Sequence, residues 1–162
     1  MIVDKLPEGI TMQLYLLGDG SERLPGKILF SSSKKWLHPL FELEEFLTLH
    51  AKNGSTFEFD GGIIASSADL FLRDRIIGRA AAFLILRMGI FKVEADIVSR
   101  RAMSLFNANS VSIETIETID AIKCITEDLL KDILEPEEVY TILTERRGKE
   151  ISKLSVVLDK PA

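Results

Sequence analysis

An α/β fold, arranged as a three-layer α/β/α sandwich around a mixed sheet, is what the 162-residue sequence predicts. Two observations carry it. Segments with the two-residue alternation of strands are interleaved with segments spaced like helices, and helices set between strands must cover both faces of a sheet. Residues 73–89 are also apolar on nearly every side between Ile76 and Leu86, which predicts a buried central helix.

The elements follow in order. Residues 12–17 alternate, with Met12, Leu14 and Leu16 facing one way, until Gly18-Asp19-Gly20-Ser21 breaks the run. Lys27-Ile28-Leu29-Phe30 is the natural partner, giving a β-hairpin whose loose loop contains Pro25-Gly26. Ser31-Ser32-Ser33-Lys34-Lys35 could hold a phosphate, but without the glycines and ending of a P-loop a solvated turn is the better reading. Pro39 suits a first helical position, and Leu40, Leu43, Phe46 and Leu47 give an apolar stripe down to Asn53-Gly54. His38 and His50 flank this helix as a cap and a surface residue. Thr56-Phe57-Glu58-Phe59 reads as a short strand, Asp60-Gly61-Gly62 as a turn and Ile63-Ile64-Ala65 as another extended piece.

For the central helix, Asp74 is expected to cap the first turn, Arg87 to suit the last, and Gly89 to stop it in a left-handed conformation. Phe91-Lys92-Val93-Glu94-Ala95 alternates as a strand, Asp96 marks the change to a helix, and Val98, Ala102, Leu105 and Phe106 form that helix's buried face. Asn107-Ala108-Asn109 ends it and Val111-Ser112-Ile113 is a further strand. Thr126 caps a helix whose first turn holds Glu127 and Asp128 and which leads to Leu129, Leu130, Ile133 and Leu134. Pro136 opens a second, with Glu137 and Glu138 in its first turn, Val139, Ile142 and Leu143 on its apolar face and Arg146-Arg147-Gly148 closing it. Residues 1–148 are read as one domain. The tail, residues 149–162, carries Leu154, Val156 and Leu158 in alternation and reads as an edge strand or a contact with a second copy.

Composition narrows the function classes. With 20 Lys and Arg against 25 Asp and Glu, the net charge of −5 offers no general attraction for nucleic acid or an anionic membrane. The first residues lack the basic-then-apolar order of a signal peptide, and residues 80–86 are too few to span a bilayer, so a cytoplasmic protein is expected. The single cysteine, Cys124, excludes an internal disulfide and any site built from several thiolates.

The order of elements, together with Asp74-Arg75-Ile76-Ile77-Gly78-Arg79-Ala80-Ala81-Ala82, resembles an uncharacterised bacterial domain family of the cytidine-deaminase-like superfamily, over residues 12–147. Lys92-Val93-Glu94-Ala95-Asp96-Ile97-Val98-Ser99 is similar to a second stretch of that family. Cys124, with Glu127 three positions on, resembles a third, with Ile125 standing where the family has a proline. The resemblance implies a fold and not a reaction. Zinc deaminases use a His or Cys ligand, a Glu two residues later and a Cys-x-x-Cys pair at the next helix start. By the resemblance Asp74 stands at the first ligand and Ile76 at the glutamate; if the second motif falls at the strand-to-helix junction, Asp96 and Ser99 stand at the thiolates, whereas aligning Cys124-Ile125-Thr126-Glu127 with the cysteine pair supplies one thiolate only. Two carboxylates and a hydroxyl make a poor zinc site, so neither metal nor cofactor is expected.

Arg73, Asp74, Arg75, Arg79, Asp96 and Ser99 are therefore the candidate ligand-binding residues. Arginines gathered near a helix N-terminus repel unless something negative is bound, which is either a ligand phosphate or carboxylate, or simply neighbouring acids. Gly78 reads as close helix-to-sheet approach. Asp96 is also an ordinary cap. Cys124, near a presumed helix start, has a buried-core reading and a nucleophile reading, with Asp74 as its acid or base. Three functions result: a non-catalytic domain binding a small anionic or nucleotide-like metabolite, a cysteine-dependent enzyme using Cys124, and a homodimerisation module built on the tail.

Overall fold

The computed structural model describes residues 5–17, 25–122, 125–130 and 135–158. In chain order the elements are β1 (Met12–Leu17), β2 (Pro25–Ser32), α1 (His38–His50), β3 (Ala51–Asn53), β4 (Thr56–Phe59), β5 (Ile63–Ser66), a 3-10 turn (Ser67–Asp69), β6 (Leu70–Ile77), α2 (Arg79–Arg87), β7 (Lys92–Ser99), α3 (Arg100–Ala108), β8 (Ser112–Ile119), α4 (Ile125–Leu129) and α5 (Pro136–Leu158). The chain divides into two compact units, Met1–Ile122 and Lys123–Ala162. None of the described helices is long and apolar enough to cross a membrane.

The first unit is a mixed α/β structure around a five-stranded mixed sheet ordered β2-β1-β6-β7-β8. β1 runs antiparallel to β2 and β6, whereas β6, β7 and β8 are mutually parallel, with α2 and α3 as their crossovers. Register explains the core. Leu14 lies opposite Leu72 and Leu72 opposite Val93, so these three share one face of the sheet, and each is at most 2% exposed. Leu40 and Leu43 of α1, Ala82, Leu84 and Ile85 of α2, and Ala102 and Phe106 of α3 are buried with them. Burying each large side chain is worth about 1.5–3 kcal/mol. The other face carries a polar row, Gln13 opposite Arg73 opposite Glu94 opposite Glu114. A small second sheet, β3-β4-β5, turns at Gly61 and Gly62, whose φ values of +83° and +75° suit glycine.

The antiparallel pairing of β1 with β2, Pro39 near the start of α1, its buried leucines and the strand at residues 56–59 occur where expected, but Pro25 and Gly26, read as loop, already belong to β2. Ser31 and Ser32 belong to β2 and not to a turn; Ser32 Oγ accepts from the Lys34 amide at 3.2 Å, and Lys34 Nζ pairs with Glu42 at 3.1 Å. His50 is held inside the structure more than a surface residue would be, its Nδ1 lying 2.8 Å from the Phe46 carbonyl oxygen.

The largest correction concerns residues 73–89. The buried helix is real but begins only at Arg79, with Gly78 as its cap. Residues 70–77 are a strand, since ladders to β1 and β7 satisfy their backbone on both sides and Leu70, Leu72 and Asp74 are buried in alternation. Asp74 is therefore no helix cap. Gly89 does end α2 as expected, at φ +73°. Similarly, β7 continues past Asp96 to Ser99, so Val98 is a strand residue and Ser99 caps α3, its Oγ accepting from the Ala102 amide at 3.2 Å. Ser99→Ala is expected to cost about 1 kcal/mol, read as a lower urea midpoint with unchanged slope.

In the second unit Thr126 lies inside α4, where its carbonyl accepts from the Leu130 amide at 3.2 Å, and is not a cap. α5 opens at Pro136 with Glu137 and Glu138 in its first turn, and Val139 and Leu143 are buried. It does not close at Gly148. Residues 149–158 continue the helix in place of the expected edge strand. One glycine inside a helix costs only about 1 kcal/mol, and a started helix gains a hydrogen bond with every added residue.

Candidate functional site

Parallel strands present their C-terminal ends beside the starts of the helices that follow them. Here β6 ends at Ile77 and leads through Gly78 into α2, and β7 ends at Ser99, the cap of α3. Four of the candidate residues lie along this edge of the sheet.

Asp74 is the most perturbed of them. It sits on β6 between Met12 and Ala95 of the neighbouring strands, 9% exposed. Burial pushes its carboxyl from 3.8 up to about 7; hydrogen bonds from the Arg75 and Ile76 amides pull the other way, and the nearby Asp96 charge adds to the rise. Asp96, 7% exposed on β7, accepts from the Leu6 amide through Oδ1 at 3.4 Å. Arg79 occupies the first turn of α2, 7% exposed, with its guanidinium carbon 5.1 Å from the centre of the Phe83 ring. Two ionisable carboxyls and one permanent cation are thus buried within one strand-to-helix region.

Arg73 and Arg75 are engaged elsewhere. Arg73 Nε pairs with Glu94 at 3.4 Å on the polar row. Arg75 Nη2 donates to the carbonyls of Pro7 at 2.9 Å and Ile10 at 2.6 Å, tying the segment before β1 to the sheet. Both guanidinium groups thus contact neighbouring acids and carbonyls, while the buried Arg75 Nε has no hydrogen-bond partner among the described residues. Burial raises the Glu94 carboxyl, against the lowering effect of Arg73, and Glu114 adds to the rise. Cys124 lies outside the described residues.

The sequence pattern alone missed Gln13 and Tyr15, both buried on the polar face, with the Tyr15 hydroxyl donating to Gln13 Oε1. Their signal was available in the nearly continuous run Met12-Gln13-Leu14-Tyr15-Leu16-Leu17, which suits a strand covered on both faces, and the first four of these positions are indeed buried. A separate surface groove of about 420 Å³ lies among Glu44, Leu47, Thr48, Ala51, Phe57, Arg87 and Met88, at the far end of α2 from Asp74.

Comparison with known proteins adds the following. A crystal structure of a DUF1893 family protein (TM1506) from Thermotoga maritima superposes with a TM-score of 0.64 over 86% of this chain and 82% of that one, at 21% identity, a likeness of fold. No curated protein sequence matches the chain. The TM1506 domain of unknown function (DUF1893) matches residues 65–146, a span from β5 into α5 that holds Asp74, Arg79, Asp96 and Ser99, and since this is just over half of the sequence, the chain belongs to that family.

Proposed function

We propose that the first unit is a deaminase-like α/β scaffold that binds a small anionic or nucleotide-like metabolite without catalysing deamination, at the ends of β6 and β7. The observation that carries this reading is Arg79, a cation buried in the first turn of a helix whose amides already bring positive potential. An Arg at that point favours phosphate or carboxylate. Asp74, with its carboxyl near 7, can donate a hydrogen bond when protonated and accept one when ionised, which suits a ligand carrying both phosphate and base edges.

The deaminase chemistry itself is not supported. A zinc deaminase places its ligands at the starts of consecutive helices. Here α2 starts Gly78-Arg79-Ala80-Ala81 and α3 starts Ser99-Arg100-Arg101-Ala102, with no imidazole, thiol or carboxylate among them. Asp74 and Ile76, matched to the ligand and the glutamate from sequence, lie on β6 before the helix begins. Among the described residues no group of three His, Cys, Asp or Glu side chains is placed to hold a metal ion. The donor set does not fit zinc.

Thermal-shift screening of the full chain against nucleotides and phosphorylated metabolites tests the reading. A ligand at 100 times its dissociation constant stabilises by about 2.7 kcal/mol, roughly 5–10 °C for a domain of this size. Arg79→Ala is expected to abolish the shift. A flat wild-type panel, or a response that survives Arg79→Ala, refutes it.

A further inference from the structure

Strand β8 forms one edge of the five-stranded sheet and pairs with β7 and no other described strand. It is eight residues long and keeps one register with β7 from Ser112 to Ile119, interrupted only at Ile116, which does not bridge to Asp96. Glu114, Glu117 and Thr118 are exposed, and Ile116 is 45% exposed. Such an edge offers a row of amides and carbonyls to another strand, although the Glu117 carbonyl already accepts from the Thr115 hydroxyl at 2.9 Å. Proteins usually blunt it with charged side chains, lysine above all, with a proline or with a bulge, and β8, reading Ser-Ile-Glu-Thr-Ile-Glu-Thr-Ile, has two exposed glutamates but no lysine, proline or bulge.

Its charges are instead arranged so that the strand complements itself. When an edge pairs antiparallel with its own copy about a two-fold axis perpendicular to the sheet, one residue must face itself, because only then do the opposed side chains share a face. With Ile116 at the axis, Ile113 faces Ile119, Glu114 faces Thr118 and Thr115 faces Glu117. Every isoleucine meets an isoleucine and every glutamate a threonine, pairs worth roughly 0.2–1 kcal/mol each. Moving the axis to Glu117 sets that glutamate against itself and Glu114 against Asp120. Moving it to Thr115 sets Ile113 against Glu117 and Glu114 against Ile116. The strand thus specifies one register and penalises its neighbours.

We propose that β8 is a self-association edge at which a second copy of the chain adds antiparallel about Ile116, continuing the sheet across the pair. The interface is a single short strand pair, so it belongs with small, reversible contacts and the dimer dissociates on dilution.

Light scattering of the full chain over a concentration series tests this. The expected result is a mass rising toward twice the 18.1 kDa chain. A chain that stays monomeric up to roughly 1 mM, a concentration at which even a weak millimolar contact is half formed, overturns the proposal. Ile116→Glu places like charges on the axis and is expected to leave only monomer with an unchanged circular-dichroism spectrum; a dimer that persists in it overturns the proposal. Should that variant fold poorly, Ile116→Cys combined with Cys124→Ser reports the register directly. Mild oxidation is expected to link two copies through residue 116, and a dimer that forms no such link overturns it.

Discussion

Replacing Asp74 by Asn is expected to abolish a loss of stability, on the order of 4 kcal/mol, that the wild-type chain undergoes between about pH 4 and pH 7. The sign follows from proton uptake. In the folded chain Asp74 keeps its proton up to about pH 7, whereas its ordinary value is 3.8, so between those limits the folded state binds more protons. Stability from this group is therefore complete below 3.8, falls as pH rises, and is gone above about 7. A shift of about three units corresponds to roughly 4 kcal/mol. Asparagine copies the protonated acid without titrating, and its amide oxygen can take the hydrogen bonds that the Arg75 and Ile76 amides give the carboxyl. The variant should match wild type in acid and exceed it at pH 8. Urea denaturation of both proteins from pH 4 to 8 measures the difference, and one that stays constant with pH contradicts the burial of Asp74. Asp96→Asn removes a nearby negative charge and should move the wild-type midpoint to lower pH. The same titration bears on ligand binding, because loss of the proton adds a negative charge to a region proposed to receive an anion.

The parts of this structure written in local patterns were legible from sequence. α1 has its Pro39 and leucine stripe, β1 its alternation, and α2 its apolar length. The strand β6 was not, because Arg73-Asp74-Arg75 looks solvated and only pairing with β1 and β7, whose partners lie 54 to 62 residues before and 21 after, makes its backbone a central strand. Its signal lay in the alternation of Leu70 and Leu72 with the β-branched Ile76 and Ile77, followed by a glycine that can cap. The end of β7 was misplaced for a related reason. Aspartate is a common cap, so Asp96 concealed Ser99, which lies three residues before the amide that it accepts. Both errors move the candidate site. Asp74 and Asp96 become buried strand residues, and the helix starts belong to Arg79 and Ser99. The arginine cluster also separates, since Arg73 pairs with Glu94 and Arg75 Nη2 donates to the segment before β1, although the buried Arg75 Nε has no hydrogen-bond partner among the described residues. Long-range pairing decides such questions, and no window of sequence contains it.

Phe106→Ala is expected to destabilise the chain by about 3–5 kcal/mol, the range for emptying a fully buried aromatic site. Phe106 is 0% exposed, and with Ala102 it forms the buried side of α3. Its backbone matters as well. The Phe106 carbonyl accepts from the Asn109 amide at 3.1 Å and the Val111 amide at 3.0 Å, which turns the chain from α3 into β8. Truncation leaves that carbonyl in place but removes the ring that holds it, so the cavity loosens the helix and the edge strand together. The neighbouring Leu105, which is only partly buried, is the control: Leu105→Ala should cost clearly less. Urea denaturation measures both variants, and equal losses would show that α3 presents a different face to the core. Amide exchange then distinguishes where the damage lies. Faster exchange in β8 than in β1 follows if Phe106 positions the edge, because β8 has one strand neighbour and β1 has two. Weaker self-association of Phe106→Ala would follow for the same reason, with Ile116 and its neighbouring glutamates unchanged in sequence but no longer held in the register that pairs them.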